Sequence, residues 1–122
     1  MTIYLEYQEA ITYLNMGRTI EQWIGINQLN DATVINWLSI AKTKNDGFSV
    51  SYYQSFDEGS ENNLDLYEFN MTDPDSVGTC TLFPDAKSAI EYALQTYCCK
   101  YDRFVNSGMI QEEYKMYLQG KI

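Results

Sequence analysis

Residues 34–56 read VINWLSIAKTKNDGFSVSYYQSF, and the fold turns on how they are parsed. Val34 to Lys44 is rich in strand formers and runs into Asn45-Asp46-Gly47. An Asp-Gly pair between two strand-like runs predicts a hairpin, with glycine accepting the positive φ that a tight turn requires. Beyond the turn, Phe48, Val50, Tyr52 and Phe56 alternate with Ser49, Ser51, Tyr53 and Ser55, the period of two of a half-buried strand. A polar loop, DEGSENN, leads to an expected third strand at Leu64 to Asn70. A fourth is expected from Thr79 to Phe83, after the Asp73-Pro74-Asp75 breaker. The middle of the chain thus reads as an antiparallel meander of three to four strands.

On the C-terminal side, Pro84-Asp85 ends the sheet and Asp85 supplies a helix N-cap. Ala89, Ile90, Ala93, Leu94, Tyr97, Cys98 and Tyr101 share one helical face, which predicts a long amphipathic helix from Asp85 to about Arg103. It is expected to pack on the Phe48/Val50/Tyr52/Phe56 face, with Leu64 and Leu66 sharing that duty. Asn106-Ser107-Gly108 interrupts, and Met109 to Leu118 forms a shorter helix with Ile110, Tyr114, Tyr117 and Leu118 inward. At the other end, Ile3 to Asn15 has helical spacing and stops at Gly17. Thr19 to Asn27 fits either a strand or a helix face; the reading favours a short helix or an irregular crossing. The second sheet face would carry Trp37, Ser39, Tyr53, Asp65, Tyr67 and Phe69. The N-terminal helix is expected to cover it; left open, it would be an aromatic patch rimmed by acids, the kind of surface protein interfaces use. No repeat or linker divides the chain, so residues 1–122 are expected to form a single α+β domain: a meander, a long amphipathic helix on one face, and short helices at both termini.

Composition bounds the function. The chain has 122 residues, 45% hydrophobic and 15% aromatic, which excludes wholesale disorder. No apolar run approaches the ~20 residues of a membrane helix, and MTIYLEYQEA carries acids where a signal peptide carries lysines; the expected location is cytoplasmic, with no membrane partner. There is no histidine, which removes the commonest general base and zinc ligand. Three cysteines, Cys80, Cys98 and Cys99, argue against a disulfide framework. Cys98 is expected beside the apolar helix face and Cys99 at its margin. Asp73-x-Asp75 hints at a calcium loop, but Val77 and Pro84 stand where oxygen ligands are needed. No catalytic site, metal or cofactor is therefore expected, and the chain is read as a non-enzyme.

Charge gives the positive signal. The formal net charge is −9, and from Asn45 to Ala86 there is no Lys or Arg. That stretch holds Asp46, Asp57, Glu58, Glu61, Asp65, Glu68, Asp73, Asp75 and Asp85, nine acids, so it carries the whole imbalance and the rest of the chain is neutral. Such a surface repels phosphate, which argues against direct nucleic-acid binding, and suits a basic protein partner. The expected partner-binding residues are Asp57, Glu58, Glu61, Asp65, Tyr67, Glu68, Asp73 and Asp75.

The run WLSIAKTKNDGFSVSYYQSFDEGSENNLDLYEF (37–69) followed by FPDAKSAIEYALQTY (83–97) resembles bacterial toxin-immunity proteins of contact-dependent growth inhibition and related polymorphic toxin systems. The likeness covers about Val34 to Tyr97 and lies in the hairpin meander, the acidic loops and the Ala-rich helix; it transfers no individual residue. What it implies is a stoichiometric inhibitor that binds one cognate toxin, often a basic nuclease. The alternatives are a phage-type mimic of nucleic acid that inhibits a host defence protein, and a small acidic domain without a dedicated partner.

Overall fold

A computed structural model describes residues 3–45, 47–60, 62–70, 72 and 79–120. Its order is α1 (Tyr7–Asn15), β1 (Ile20–Leu29), β2 (Ala32–Lys42), β3 (Phe48–Phe56), a 3₁₀ turn at Leu66–Glu68, β4 (Thr79–Phe83), α2 (Ala86–Thr96), β5 (Val105–Asn106) and α3 (Ile110–Leu118). The strands form one antiparallel sheet in the order β4-β3-β2-β1-β5. The fold is α+β, with five strands rather than three or four.

Two strands were not expected: β5, a two-residue pairing at Val105–Asn106, and β1, where the spacing favours a short helix or an irregular crossing. Its hairpin to β2 closes through Asn30 (φ 50°) and Asp31 (φ 70°), with Leu29 paired to Ala32. Two consecutive positive-φ residues make the tight mirror-image turn whose twist matches the strands, and Asn and Asp tolerate it best after glycine. A bulge between Trp23 and Gly25 obscures the period of two in β1, which is why the spacing reads ambiguously. The β2–β3 hairpin forms where expected, pairing Lys42 with Phe48. Its loop is longer than a two-residue turn: Thr43 N–H donates to the Gly47 carbonyl at 2.8 Å, and Gly47 does not take the expected positive φ. Asp46 lies outside the described residues.

Two layers cover the sheet. On one face Ile20, Leu38, Ile40, Phe48 and Val50 pack with Leu14 and Ala10 of α1 and with Ala86, Ala89, Ile90 and Ala93 of α2. The predicted face of α2 is thus the packed one, and Asp85 caps it, accepting from Ser88 N–H at 2.7 Å. The helix is shorter than expected. It ends at Thr96, and Cys98 adopts a left-handed φ of 58°. That kink reverses the two cysteines: Cys98 is exposed, and Cys99 is buried, its thiol pushed up to about 12 by desolvation and then by Cys98.

The opposite face carries Ile35, Trp37, Leu66, Phe69, Val105, Ile110 and Tyr114. It is closed, but not by α1, which shares the first face with α2. Its cover is α3 together with the segment after β3. Leu64 to Asn70 is not a strand: it is an irregular segment around the 3₁₀ turn, and Leu64 and Leu66 pack into the cluster that holds Trp37 rather than against α2. Tyr53 stacks on Trp37 with ring centroids 4.3 Å apart. The open aromatic patch therefore does not exist; its rings form a second core. Among the described residues no helix is long and apolar enough to cross a membrane.

Candidate functional site

The segment 57–70 is where the acidic stretch meets this second core, and its geometry follows from what anchors it. Phe56 N–H donates to the Asn70 carbonyl at 2.9 Å and Asp57 N–H to the Thr33 carbonyl at 2.9 Å, so both ends of the loop are tied to the sheet. Glu58 closes the loop on itself. Its carboxylate accepts from the Asn70 backbone N–H at 2.5 Å and from Asn70 Nδ2 at 2.9 Å. Those two donors hold its carboxyl below the usual carboxylate range. Ser60 and Asn63 exchange backbone bonds at 3.1 and 2.9 Å across the loop's tip.

Three contacts seat the loop on α3 and β1. The Tyr114 hydroxyl, on a ring that is fully buried, donates to Asp57 Oδ1. Burial and then Asp57 raise that phenol above its ordinary value. Gly59 lies against the same hydroxyl so closely that no side chain fits. Farther along, the Tyr67 hydroxyl donates to Glu21, 2.8 and 2.7 Å from the two carboxylate oxygens, while Gly108 N–H donates to Glu21 Oε1 at 3.0 Å. Glu21 is only 2% exposed, and burial raises its carboxyl against the opposing bonds from Tyr67 and the amides that begin α3. Glu21 is thus a node at which β1, the loop and the start of α3 meet.

The expected binding residues accordingly divide. Asp57, Glu58 and Tyr67 serve the loop's own architecture: Asp57 holds Tyr114, Glu58 holds Asn70, and Tyr67 holds Glu21 while its ring meets Trp37 edge-on at 5.5 Å. Tyr67 stays 43% exposed, so one side of its ring still faces outward. Asp65 and Glu68 are exposed on either side of it. Glu61, Asp73 and Asp75 lie outside the described residues. Sequence reasoning missed the residues that seat the loop. The spacing turns Tyr114 inward but does not show its partner Asp57, and Glu21 sits in a run whose bulge hides its face.

The site offers fixed carboxylates and one half-exposed ring on a braced loop. Among the described residues no three metal-ligating side chains come together. No family model matches the chain, and no curated protein or solved structure does.

Proposed function

We propose that this chain is a non-enzymatic immunity protein that binds and neutralises a cognate toxin, a basic nuclease, through the acidic surface of its 57–70 loop. The observation that carries the reading is the bracing of that loop. Asp57, Glu58 and Tyr67 spend their polar atoms on internal bonds, and the result is a fixed platform from which Asp65, Glu68 and the Tyr67 ring face solvent. With the loop backbone braced, only the side chains of Asp65 and Glu68 have to be ordered on binding, so more of their Coulombic attraction appears as affinity and selectivity. Carboxylates presented from such a platform stand in for the phosphates of a nuclease substrate, pairing with the Lys and Arg that would otherwise grip nucleic acid.

The test is capture with the purified chain as bait from cells that encode it, in parallel with an Asp65→Lys/Glu68→Lys variant shown to be folded by circular dichroism. The expected result is one basic protein, retained by the parent, released by salt and lost by the variant, whose nuclease activity the parent suppresses. Equal retention by the variant, or a captured protein that is acidic, contradicts the proposal.

A further inference from the structure

The sheet has an edge that the fold leaves unfinished. Strand β5 pairs with β1 only at Ile20 and Glu21, and among the described residues nothing else extends the sheet beside β1. From Gly25 to Leu29 the outer edge of β1 runs alongside no strand of the described residues, while its inner edge keeps a regular ladder with β2. The stretch Gln22 to Asn30 contains no charge and no proline, the two devices that usually guard an edge against pairing. Ile26 and Leu29 are 41% and 44% exposed. A bulge is present, but it lies at Trp23/Gly25, at one end of the open edge.

At that end lies a cleft of ≈ 260 Å³ lined by Tyr4, Trp23, Ile24, Lys100, Arg103 and Glu113. Its position follows from the register. Val105 faces Glu21, so the chain just before it, which includes Arg103, leaves the fifth-strand track beside Gln22 and Trp23. The Gln22 side chain pins this departing segment, donating to the Lys100 carbonyl at 2.9 Å and accepting from Lys100 N–H at 2.7 Å. Lys100 and Arg103 are exposed, two of only eight basic residues in the chain. Glu113 is 4% exposed and accepts from the Tyr4 hydroxyl at 3.1 Å, with the Arg103 guanidinium 4.7 Å from the Tyr4 ring centre. The cleft therefore combines two basic residues, Lys100 and Arg103, an apolar wall at Trp23 and Ile24, and the buried Glu113 carboxyl, which Arg103 offsets.

We infer that the open edge of β1 and this cleft form one docking site for the extended C-terminal segment of another protein, bound antiparallel to β1 with its free carboxylate between Lys100 and Arg103. Direction decides the occupant. A guest strand antiparallel to β1 runs in the sense of β5, so its last residue arrives at the cleft, where two cations meet the terminal carboxylate. A parallel guest would bring an ammonium to the same two cations. Main-chain bonds to Ile26–Leu29 supply affinity without sequence preference, and the cleft, with room for one large apolar side chain against Trp23, supplies the preference. The site is independent of the acidic loop and goes beyond the proposed toxin-binding role.

The probe is a library of hexapeptides with free C-terminal carboxylates, selected on the full chain and read by hydrogen exchange. The expected result is enrichment of peptides ending in a large apolar residue, with slowed exchange confined to β1 amides between Ile24 and Leu29. Amidation of the peptide, or a Lys100→Ala/Arg103→Ala variant, should weaken binding about tenfold or more, the loss of a charge-assisted bond. Because the Arg103 guanidinium packs on the Tyr4 ring, the variant is first shown to be folded by circular dichroism and a thermal melt, and the amidated peptide tests the same contact on the unaltered chain. No enrichment over the variant, equal binding of the amidated peptide, or protection elsewhere overturns the proposal. So does a concentration-dependent dimer of this chain that protects the same amides, which would make a second copy the occupant.

Discussion

Gly59→Ala tests the seat of the acidic loop with the addition of a single methyl group. A Cβ at this position would stand 2.5 Å from the Asn63 carbonyl oxygen and 2.6 Å from the Tyr114 hydroxyl, and would also strike the tip of the Phe69 ring. Two of these obstacles cannot swing aside. Asn63 belongs to the closed loop tip, and the Tyr114 hydroxyl is held by Asp57 on a fully buried ring. Overpacking of this kind costs about 1–3 kcal/mol, and the rigid neighbours put this site in the upper half of that range. At about 4 °C per kcal/mol for a domain of this length, Tm should fall by roughly 8–12 °C. Gly47→Ala is the comparison. There the new Cβ meets the Phe83 carbonyl at 3.2 Å and Thr43 Oγ1 at 3.3 Å, contacts that yield by a few tenths of an ångström. The reduced freedom of the unfolded chain returns about 0.4–1 kcal/mol, so Gly47→Ala should be near neutral. Calorimetry of the three proteins reads both. A Gly59→Ala protein that melts within about 2 °C of the parent refutes the close seating of the loop on Tyr114.

Stability should rise as pH falls from 7 towards 5. Burial raises the carboxyls of Glu21 and Glu113 above their ordinary value of 4.5, so each contributes stability that is full below that value and lost as pH rises through the elevated folded value. Glu58 and Asp85 act oppositely, but their depressed values place their loss below this window. Thermal melts of Glu21→Gln/Glu113→Gln should show a flatter slope between pH 5 and 7, and an unchanged slope contradicts the assignment. Tyr67→Phe removes a donor to the buried Glu21 carboxylate and should cost about 1–2 kcal/mol in urea unfolding, the half-exposed ring keeping the loss modest. Ile90→Ala, in the fully buried centre of α2, should cost about 2–5 kcal/mol by the same assay. Limited alkylation with iodoacetamide, mapped by fragmentation mass spectrometry, should modify exposed Cys98 and spare Cys99 until the domain unfolds.

The sequence was most legible where local and tertiary demands agree. The alternation of Phe48 to Phe56, the strand at Thr79–Phe83, the Asp85 cap and the Ala89/Ile90/Ala93 face all appear as read. It was least legible where one residue breaks a period. The bulge at Trp23 hid β1, and the left-handed Cys98 cut α2 short although the apolar spacing continues through Tyr101. The Asn30-Asp31 pair did carry a hairpin signal, since both residues tolerate positive φ between two strand-like runs. The apolar Leu64 and Leu66 suggest a strand; their packing into the second core needs only a 3₁₀ turn. For the candidate site, the acidic stretch was visible as a charge imbalance, but which acids are spent internally was not. That depends on Tyr114 and Asn70, 57 and 12 residues distant from Asp57 and Glu58. Glu21 and Glu113 look like ordinary surface acids in the sequence, yet both are buried and bonded.

The most direct test of a partner-binding acidic loop is the association rate of the captured partner, measured by stopped flow as ionic strength rises. The loop variant Asp65→Lys/Glu68→Lys is compared with Glu91→Lys/Glu112→Lys, which reverses the same charge at exposed helix positions. Local complementarity predicts that the loop variant associates about ten times more slowly or worse and loses most of the parent's salt dependence, while the helix variant stays close to the parent. Equal slowing by both variants would show that only net charge matters, and no slowing by either would show that the loop is solvated surface and not an interface.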